Sequence, residues 1–131
     1  MTRLDRAFLI AFVYLETKYG TLDEIAAVAW CILNRAARGK KQASCIVAEF
    51  DIAKQMQFKQ LVCDYLSGGI KNDRYFGQVE WIINGVIEGK IMDVSNGAEF
   101  YMRRENFISE SCSNAVPTAY VGDFVFLKEA L

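Results

Sequence analysis

Hydrophobic residues recur at helical spacing through the N-terminal part of the chain. Residues 4–16 predict a first helix that is apolar on nearly all sides, and residues 22–35 predict a second helix with one apolar face. Further helices are expected at 59–66 and 75–89, and the stretch 43–58 combines a helical turn with a segment that fits helix or strand. Because the first helix is the most apolar, we expect it to lie at the centre of the others.

Polar signals mark where these helices begin. Thr21 and Glu24 match the Ser/Thr-x-x-Glu pattern of a capping box, in which each side chain bonds the backbone N–H of the other residue. Asp23 and Glu24 therefore have a structural role at the helix start and are weak catalytic candidates. Asn72 or Asp73 can cap the later helix.

Turn and strand signals replace the helical pattern in the C-terminal part. Residues 93–97 form a turn signal, 98–102 a short strand, 103–117 a polar loop and 120–127 a β-rich stretch with an internal turn. No repeat or linker separates this region from the helices. The pattern predicts one domain over residues 1–131, mainly α, with a small irregular β-like patch near the C-terminus.

The composition permits a sizeable core and excludes several functional classes. Of the 131 residues, 53% are hydrophobic and 24% are charged, as in a folded domain. The net charge of −1 gives no reason to expect nucleic acid as a partner, and the basic run 35–41 is interpreted as a solvated helix end. Because there is no histidine, Ser-His-Asp catalysis, Cys-His catalysis and histidine-ligated zinc are excluded.

The cysteines give no sign of a metal or redox site. Cys31, Cys45, Cys63 and Cys112 show no CxxC spacing, so neither a zinc ribbon nor a redox motif is expected. Cys31 falls on the apolar face of the second helix and is interpreted as a small core residue. We therefore expect no metal, no cofactor and no required disulfide.

The N-terminus matches a signal peptide only in part. Arg3 and Arg6 precede the apolar run 7–15, but no small-x-small cleavage site follows that run. The run is also too short to span a bilayer, so we expect no stable membrane insertion. If the protein works outside the cytoplasm, a route other than a cleaved signal must deliver it.

One carboxylate stands where the first buried helix stops. The apolar run ends abruptly at Glu16, a short turn follows at 17–20, and the second buried helix then begins. A lysozyme-type glycosidase places its general acid in this way. The alternative interpretation is an ordinary solvated glutamate at a helix end, which is common in proteins.

Several short motifs are those of a known family and occur in its order. Glu16 is followed, at the offset seen in the family, by the helix segment AAVAWCILNRA at 26–36. A Cys-x-hydrophobic segment leads to Gln-Phe over 45–58, DVSNGAEFY lies at 93–101, and VGDFVF lies at 121–126. On these motifs the chain resembles the spore-cortex-lytic cell wall hydrolases over most of its length. The resemblance implies a lysozyme-like, lytic-transglycosylase-like fold.

Three positions depart from the pattern of that family. Phe124 stands where the family usually has histidine, and Glu99 stands where histidine or an aromatic residue is frequent. Gly20 replaces a second acidic residue that commonly follows the first. These departures concern substrate contacts more than Glu16.

The resemblance implies a peptidoglycan-degrading glycosidase that cleaves the β-1,4 bond between N-acetylmuramic acid and N-acetylglucosamine. Glu16 would be the general acid, with a pKa raised by burial and by the helix end and opposed by Lys18. A lytic transglycosylase needs this one carboxylate, whereas a hydrolase would need a second carboxylate, for which Asp93 and Glu99 are the candidates. The implied site of action is the bacterial cell wall, in the periplasm or outside the cell, and a phage-encoded enzyme released by another route fits the missing signal.

Gln57, Tyr101 and Glu99 are the candidate substrate-binding residues. Gln57 also fits a loop-capping amide, and Tyr101 also fits a core aromatic with a hydrogen-bonded hydroxyl. Two other classes of function stay open: a lysozyme-fold module that binds glycan without cutting it, and a helical protein-interaction domain.

Four other polar or aromatic residues are assigned structural roles. Asn34 and Arg35 are expected to brace the turn after Glu16 or the helix end, and Trp30 and Trp81 are expected to lie in the core.

Overall fold

The computed structural model describes residues 1–70, 73–107 and 114–130. Its first helix, α1 (Arg3–Thr17), contacts all four of the helices that follow it. The others are α2 (Leu22–Gly39), α3 (Ala43–Val47), α4 (Met56–Ser67) and α5 (Arg74–Ile87). The residues of α1 from Leu9 to Val13 are all buried. The predicted central position of the first helix is thus confirmed.

Capping boxes open both of the first two helices. At the start of α2, the Thr21 hydroxyl accepts from the Glu24 N–H at 3.2 Å, and the Glu24 carboxylate accepts from the Thr21 N–H at 2.7 Å. This box confirms the prediction. A second box between Thr2 and Asp5 opens α1 and was not predicted. Helix α2 is longer than predicted because the left-handed conformation that ends it falls at Lys40.

The segment left undecided between helix and strand is helical. A 3₁₀ turn at Asp51–Lys54 is followed directly by α4, which begins at Met56, earlier than predicted. The helix ends at Gly68, whose φ of +78° only glycine adopts freely. Asp73 caps α5 by accepting the Phe76 N–H at 3.1 Å, as predicted for this position.

A small antiparallel sheet forms the predicted β-like patch. It contains β1 (Phe100–Arg103), β2 (Ala115–Val121) and β3 (Phe124–Glu129) in the order β1-β3-β2. Central strand β3 buries four consecutive side chains, Phe124 to Leu127. The predicted loop at 103–117 is partly wrong, because its last residues begin β2, while residues 108–113 of that loop lie outside the described part.

The two tryptophans differ from each other in burial. Trp30 is partly buried and donates its indole N–H to the Ile91 carbonyl at 3.1 Å. Trp81 is 71% exposed, so its predicted core position is wrong. The apolar stripe of α5 runs through Val79, Ile83 and their helical neighbours, and Trp81 lies off that stripe.

In the part of the chain that the structure describes, no helix is both long enough and apolar enough to cross a membrane. The apolar run 7–15, predicted to be too short for a membrane span, lies within α1, which packs against the other helices.

Gly122 lies in the turn between β2 and β3, and its substitution tests how closely this turn packs against Glu24 of α2. A Cβ at Gly122 would lie 2.4 Å from the Glu24 side chain, and the residue has a φ of +56°. Gly68 has a similar φ of +78°, but a Cβ added there would have no heavy atom within 4 Å. We expect Gly122→Ala to lower the free energy of unfolding by about 2–4 kcal/mol and Gly68→Ala by about 1 kcal/mol. Urea unfolding measures both, and equal losses would contradict the close packing of Glu24 beneath the turn.

Candidate functional site

Glu16 is the penultimate residue of α1 and is half-buried. The chain reverses direction immediately after it, and Lys18 and Tyr19 have φ values of +29° and +60°. Positive φ is uncommon in residues other than glycine, so packing must hold this turn. Thr17 supplies part of that packing, since its buried hydroxyl is hydrogen-bonded to the Val13 carbonyl at 2.7 Å and to the Tyr75 hydroxyl.

Burial raises the pKa of the Glu16 carboxyl above its ordinary value, and the positive charge of Arg103 opposes this shift. The sequence suggested that Lys18 would oppose this shift, but the opposing charge is that of Arg103. Among the described residues, no hydrogen bond reaches the Glu16 carboxylate. A half-buried carboxyl without donors retains its proton to higher pH than an exposed one.

Arg103 connects the end of β1 to the end of α1. Its guanidinium donates to the Glu16 backbone carbonyl at 3.2 Å and lies 4.8 Å from the centre of the Phe124 ring. Phe124 itself is 1% exposed, so this position supports Arg103 and does not face solvent. The departure from the family pattern at position 124 thus has a structural role in this chain.

Tyr101 lies near Glu16 in an aromatic cluster. Its ring centre is 6.3 Å from that of Phe50, 5.7 Å from that of Phe124 and 6.0 Å from that of Phe126. Burial, and then the charge of Glu16, raise the pKa of the Tyr101 hydroxyl well above its usual range. Within the described ranges this hydroxyl has no hydrogen-bond partner. The ring is therefore packed as a core aromatic, while the hydroxyl stays available to a ligand.

Glu24 lies close to the same arginine but in a different environment. Burial alone would raise the pKa of Glu24, but hydrogen bonds from the Asp123 and Thr21 backbone, with the charge of Arg103, outweigh it and lower that pKa. The Asp123 N–H donates to Glu24 at 3.0 Å. Glu24 thus joins the start of α2 to the β2–β3 turn, which confirms its predicted structural role.

Asp93 organises the loop before β1. One of its oxygens accepts the Ser95 N–H at 2.9 Å and the Ser95 hydroxyl at 2.6 Å, and the other accepts the Gly97 N–H at 3.0 Å and the Asn34 amide at 2.9 Å. Burial raises the pKa of Asp93, but these hydrogen bonds together lower it. The Asn34 amide donates to Asp93 and to the Ala98 carbonyl, so it braces the loop before β1 and not the turn after Glu16, which was one of the two alternatives predicted for it.

Glu99 is a buried carboxylate paired with an exposed arginine. It is 6% exposed and accepts two hydrogen bonds from Arg38, at 2.6 and 3.2 Å, while Arg38 also pairs with Glu129 at 2.9 Å. A sugar contact by the Glu99 carboxylate would have to compete with Arg38. Glu99 therefore lies beside Arg38 in the last turn of α2. Among the described residues, no hydrogen bond or ion pair connects Glu99 with Glu16.

The basic run at the end of α2 is paired with carboxylates and not simply solvated. Arg35 contacts Glu49 at 2.9 Å, with its guanidinium 5.7 Å from the Phe50 ring centre, and Lys41 lies 3.8 Å from Glu49. Of the two alternatives predicted for Arg35, bracing of the turn after Glu16 is therefore wrong, whereas bracing of the helix end agrees with this contact near the end of α2. Its role is to join α2 to the segment after α3.

Gln57 is exposed in the first turn of α4 and has no hydrogen-bond partner within the described part of the chain. The neighbouring Phe58 is buried and packs edge-on against Phe8, with ring centres 5.2 Å apart. The contacts of the described residues do not connect Gln57 with Glu16. The proposed sugar contact of Gln57 therefore stays a prediction.

Three of the four cysteines lie in the described part of the chain. Cys31 is buried, as predicted, and burial raises the pKa of its thiol well above the usual range. Cys45 and Cys63 are exposed and free, and the interpretation of Cys112 falls outside the described residues. No group of three or more Cys, Asp or Glu side chains that could hold a metal occurs in the ranges that are described.

Arg103 is the site residue that sequence reasoning missed, because it was assigned to a loop. The signal that could have found it is strand alternation, since Tyr101 and Arg103 are two residues apart in β1 and lie on the same face. Glu16, Tyr101 and Arg103 together form what we name the Glu16 cluster. The cluster brings together a carboxylic acid with a raised pKa, a tyrosine hydroxyl and a cation. Comparisons of the chain with protein-family models, curated proteins and solved structures give no match.

Proposed function

We propose that this chain is a peptidoglycan-degrading glycosidase with a lysozyme-like fold, in which Glu16 is the general acid. The observation that carries the proposal is the state of Glu16, a half-buried carboxyl at the end of a buried helix with a pKa raised by burial. The motif resemblance to the spore-cortex-lytic cell wall hydrolases supplies the substrate, the β-1,4 bond between N-acetylmuramic acid and N-acetylglucosamine. The place of action that follows is the bacterial cell wall.

The chemistry requires one proton donor where the bond breaks. Glu16 gives its proton to the glycosidic oxygen as that oxygen leaves, and positive charge develops on the muramic acid ring. The resulting Glu16 carboxylate then takes the proton of the C6 hydroxyl while that oxygen bonds to C1. The product is a 1,6-anhydro ring, no water is consumed, and Glu16 is protonated again.

The environments of Asp93 and Glu99, the two candidates for a second carboxylate, and of Glu24 support a mechanism with one carboxylate. Both oxygens of Asp93 accept two hydrogen bonds each, and Glu99 is bound by Arg38. The oxygens of Glu24 are taken by the backbone at Thr21 and Asp123. A base that activates water needs a free lone pair near the reacting carbon, and these three carboxylates are already engaged.

The products of digestion test the proposal directly. Purified peptidoglycan is digested with the protein, and the released muropeptides are identified by mass spectrometry. We expect 1,6-anhydromuramic acid ends, whose mass is lower than that of reducing ends by one water. Reducing ends would indicate a hydrolase, and release of no muropeptide would contradict the assignment as a glycosidase.

A binding module is the second candidate, and burial of Phe124 is the observation that favours it. In the resembled family this position usually holds histidine, whereas here a buried ring replaces a polar side chain. A pull-down with glycan strands separates both glycan functions from a helical protein-interaction domain. Retention of strands without turnover would then assign binding alone.

A further inference from the structure

A hollow of about 480 Å³ lies beside the Glu16 cluster, lined by Arg103, Arg104, Glu105 and Asp123. All four side chains are exposed. The hollow adjoins Glu16 because Arg103, which lines it, donates to the Glu16 carbonyl at 3.2 Å. A group bound here would be attached to a substrate whose reacting bond lies near Glu16.

Both guanidinium groups of the hollow lie against aromatic rings. The Arg103 guanidinium is 4.8 Å from the centre of the Phe124 ring, and that of Arg104 is 5.1 Å from the centre of the Tyr120 ring. Such contacts restrict the plane of each guanidinium and leave N–H groups at its edge for a planar carboxylate, apart from the one that Arg103 donates to the Glu16 carbonyl. The backbone is held as well, since the Arg104 N–H donates to the Asp123 carbonyl at 2.8 Å.

The charges of the hollow are not paired with one another. Ion pairs within 4.0 Å occupy Arg35 and Arg38 elsewhere on the surface, but none in the described residues joins Arg103 or Arg104 to a carboxylate. The hollow thus offers two cations and two anions to a ligand. A polyanion such as nucleic acid would meet the Glu105 and Asp123 carboxylates, whereas a ligand with both kinds of charge would complement the set.

We propose that this hollow binds the peptide stem carried by N-acetylmuramic acid, with the arginines on its carboxylates and the acidic residues on its ammonium group. The inference rests on the proposed function, because the stem is attached to the sugar whose bond Glu16 would cleave. Arg103 and Arg104 supply charge-assisted hydrogen bonds to carboxylates, and Glu105 and Asp123 supply acceptors for a diamino acid side chain. The protein would then prefer strands that retain their peptides over bare strands.

The test compares two substrates and three proteins. The initial rate is measured on intact peptidoglycan strands and on the same strands after an amidase has removed the peptides, with wild type, Arg104→Met and Lys59→Met. Lys59 is an exposed cation of α4 and serves as the matched control. We expect wild type and Lys59→Met to prefer the intact strands by about three- to tenfold, and Arg104→Met to lose most of that preference. An unchanged preference in Arg104→Met would overturn the inference.

A binding measurement separates this inference from the proposed function. The tripeptide L-alanyl-D-glutamyl-diaminopimelate is titrated into the full chain while backbone amide resonances are followed by NMR. Shifts confined to 103–105 and 122–124, and reduced in Arg104→Met, are the expected result even if no strand is cleaved. Absence of these shifts would overturn the inference, while cleavage of both substrates without preference would leave the proposed function standing alone.

Discussion

Replacing Glu16 with glutamine should reduce peptidoglycan lysis by about 10²- to 10⁴-fold, the usual contribution of a general acid. Glutamine keeps the shape of the side chain at the end of α1 but has no proton to give to the leaving oxygen. The measurement is the initial rate of turbidity loss in a suspension of purified peptidoglycan, with circular dichroism to confirm the fold. A rate close to that of wild type would exclude Glu16 as the acid.

Glu88 provides the matched control for this substitution. It is the C-cap residue of α5, so it also stands at a helix end, but it is exposed and pairs with Lys90 at 3.0 Å. Glu88→Gln makes the same chemical change at an equivalent helix position, and we expect it to leave the lysis rate unchanged. Similar losses in the two variants would show that the effect of Glu16→Gln is not specific to the site.

The raised pKa of Glu16 also determines the direction in which stability and the rate of lysis change with pH. The folded protein binds this proton more tightly than the unfolded chain, so loss of the proton from Glu16 costs stability as pH rises through the raised pKa, and that cost disappears as pH falls below it. Glu16→Gln should therefore be at least as stable as wild type at pH 7. Lysis by wild type should decline as pH rises through the same pKa.

Asp93→Asn should lower the free energy of unfolding by about 2–4 kcal/mol, as much as we expect for Gly122→Ala. In either orientation the new amide nitrogen would face donors that now bond a carboxylate oxygen: those of Gly97 and Asn34 in one orientation, and those of Ser95 in the other. Because the pKa of Asp93 is lowered on folding, its stabilisation is present at neutral pH and is lost as pH falls through the folded value. The variant should accordingly lose less stability than wild type on acidification.

Lysis by folded Asp93→Asn should stay appreciable, because the proposed mechanism uses one carboxylate. The rate is measured at a temperature where urea titration shows the variant to be folded. Asp51→Asn is the control, since the Asp51 side chain is 99% exposed. This substitution should lower the free energy of unfolding by less than about 0.5 kcal/mol. Collapse of lysis in folded Asp93→Asn, with reducing-end products, would instead favour a hydrolase with two carboxylates.

The elements that sequence predicted well are those determined by neighbouring residues. The capping box at Thr21 and the cap at Asp73 depend on side chains within three positions of the backbone groups that they bond. The turn at Asp93 is of the same kind, since Ser95 and Gly97 are two and four residues away. Glu16 was found because a helix end is visible as the end of an apolar run.

The features that sequence reasoning missed depend on residues far apart in the chain. Arg38 and Glu99 meet across 61 positions, and Arg103 reaches Glu16 across 87 positions. Neither contact leaves a periodic signal, because only the tertiary fold decides which distant charges become partners. The prediction for Trp81 was wrong for a related reason. Its apolar neighbours suggested a core position, but contacts with α1 and α2 determine which face of α5 is buried.

The hydrogen bond from Asp123 to Glu24 has a consequence for the time at which the Glu16 cluster is assembled. It spans 99 positions, and the ring that supports Arg103 belongs to β3, the last strand of the sheet. The helices can form early during synthesis, whereas the surroundings of Glu16 can be completed only after β3 has left the ribosome. We therefore expect the proposed glycosidase activity to be absent from a nascent chain. A cell that produces this protein would meet that proposed activity only in molecules whose sheet is complete.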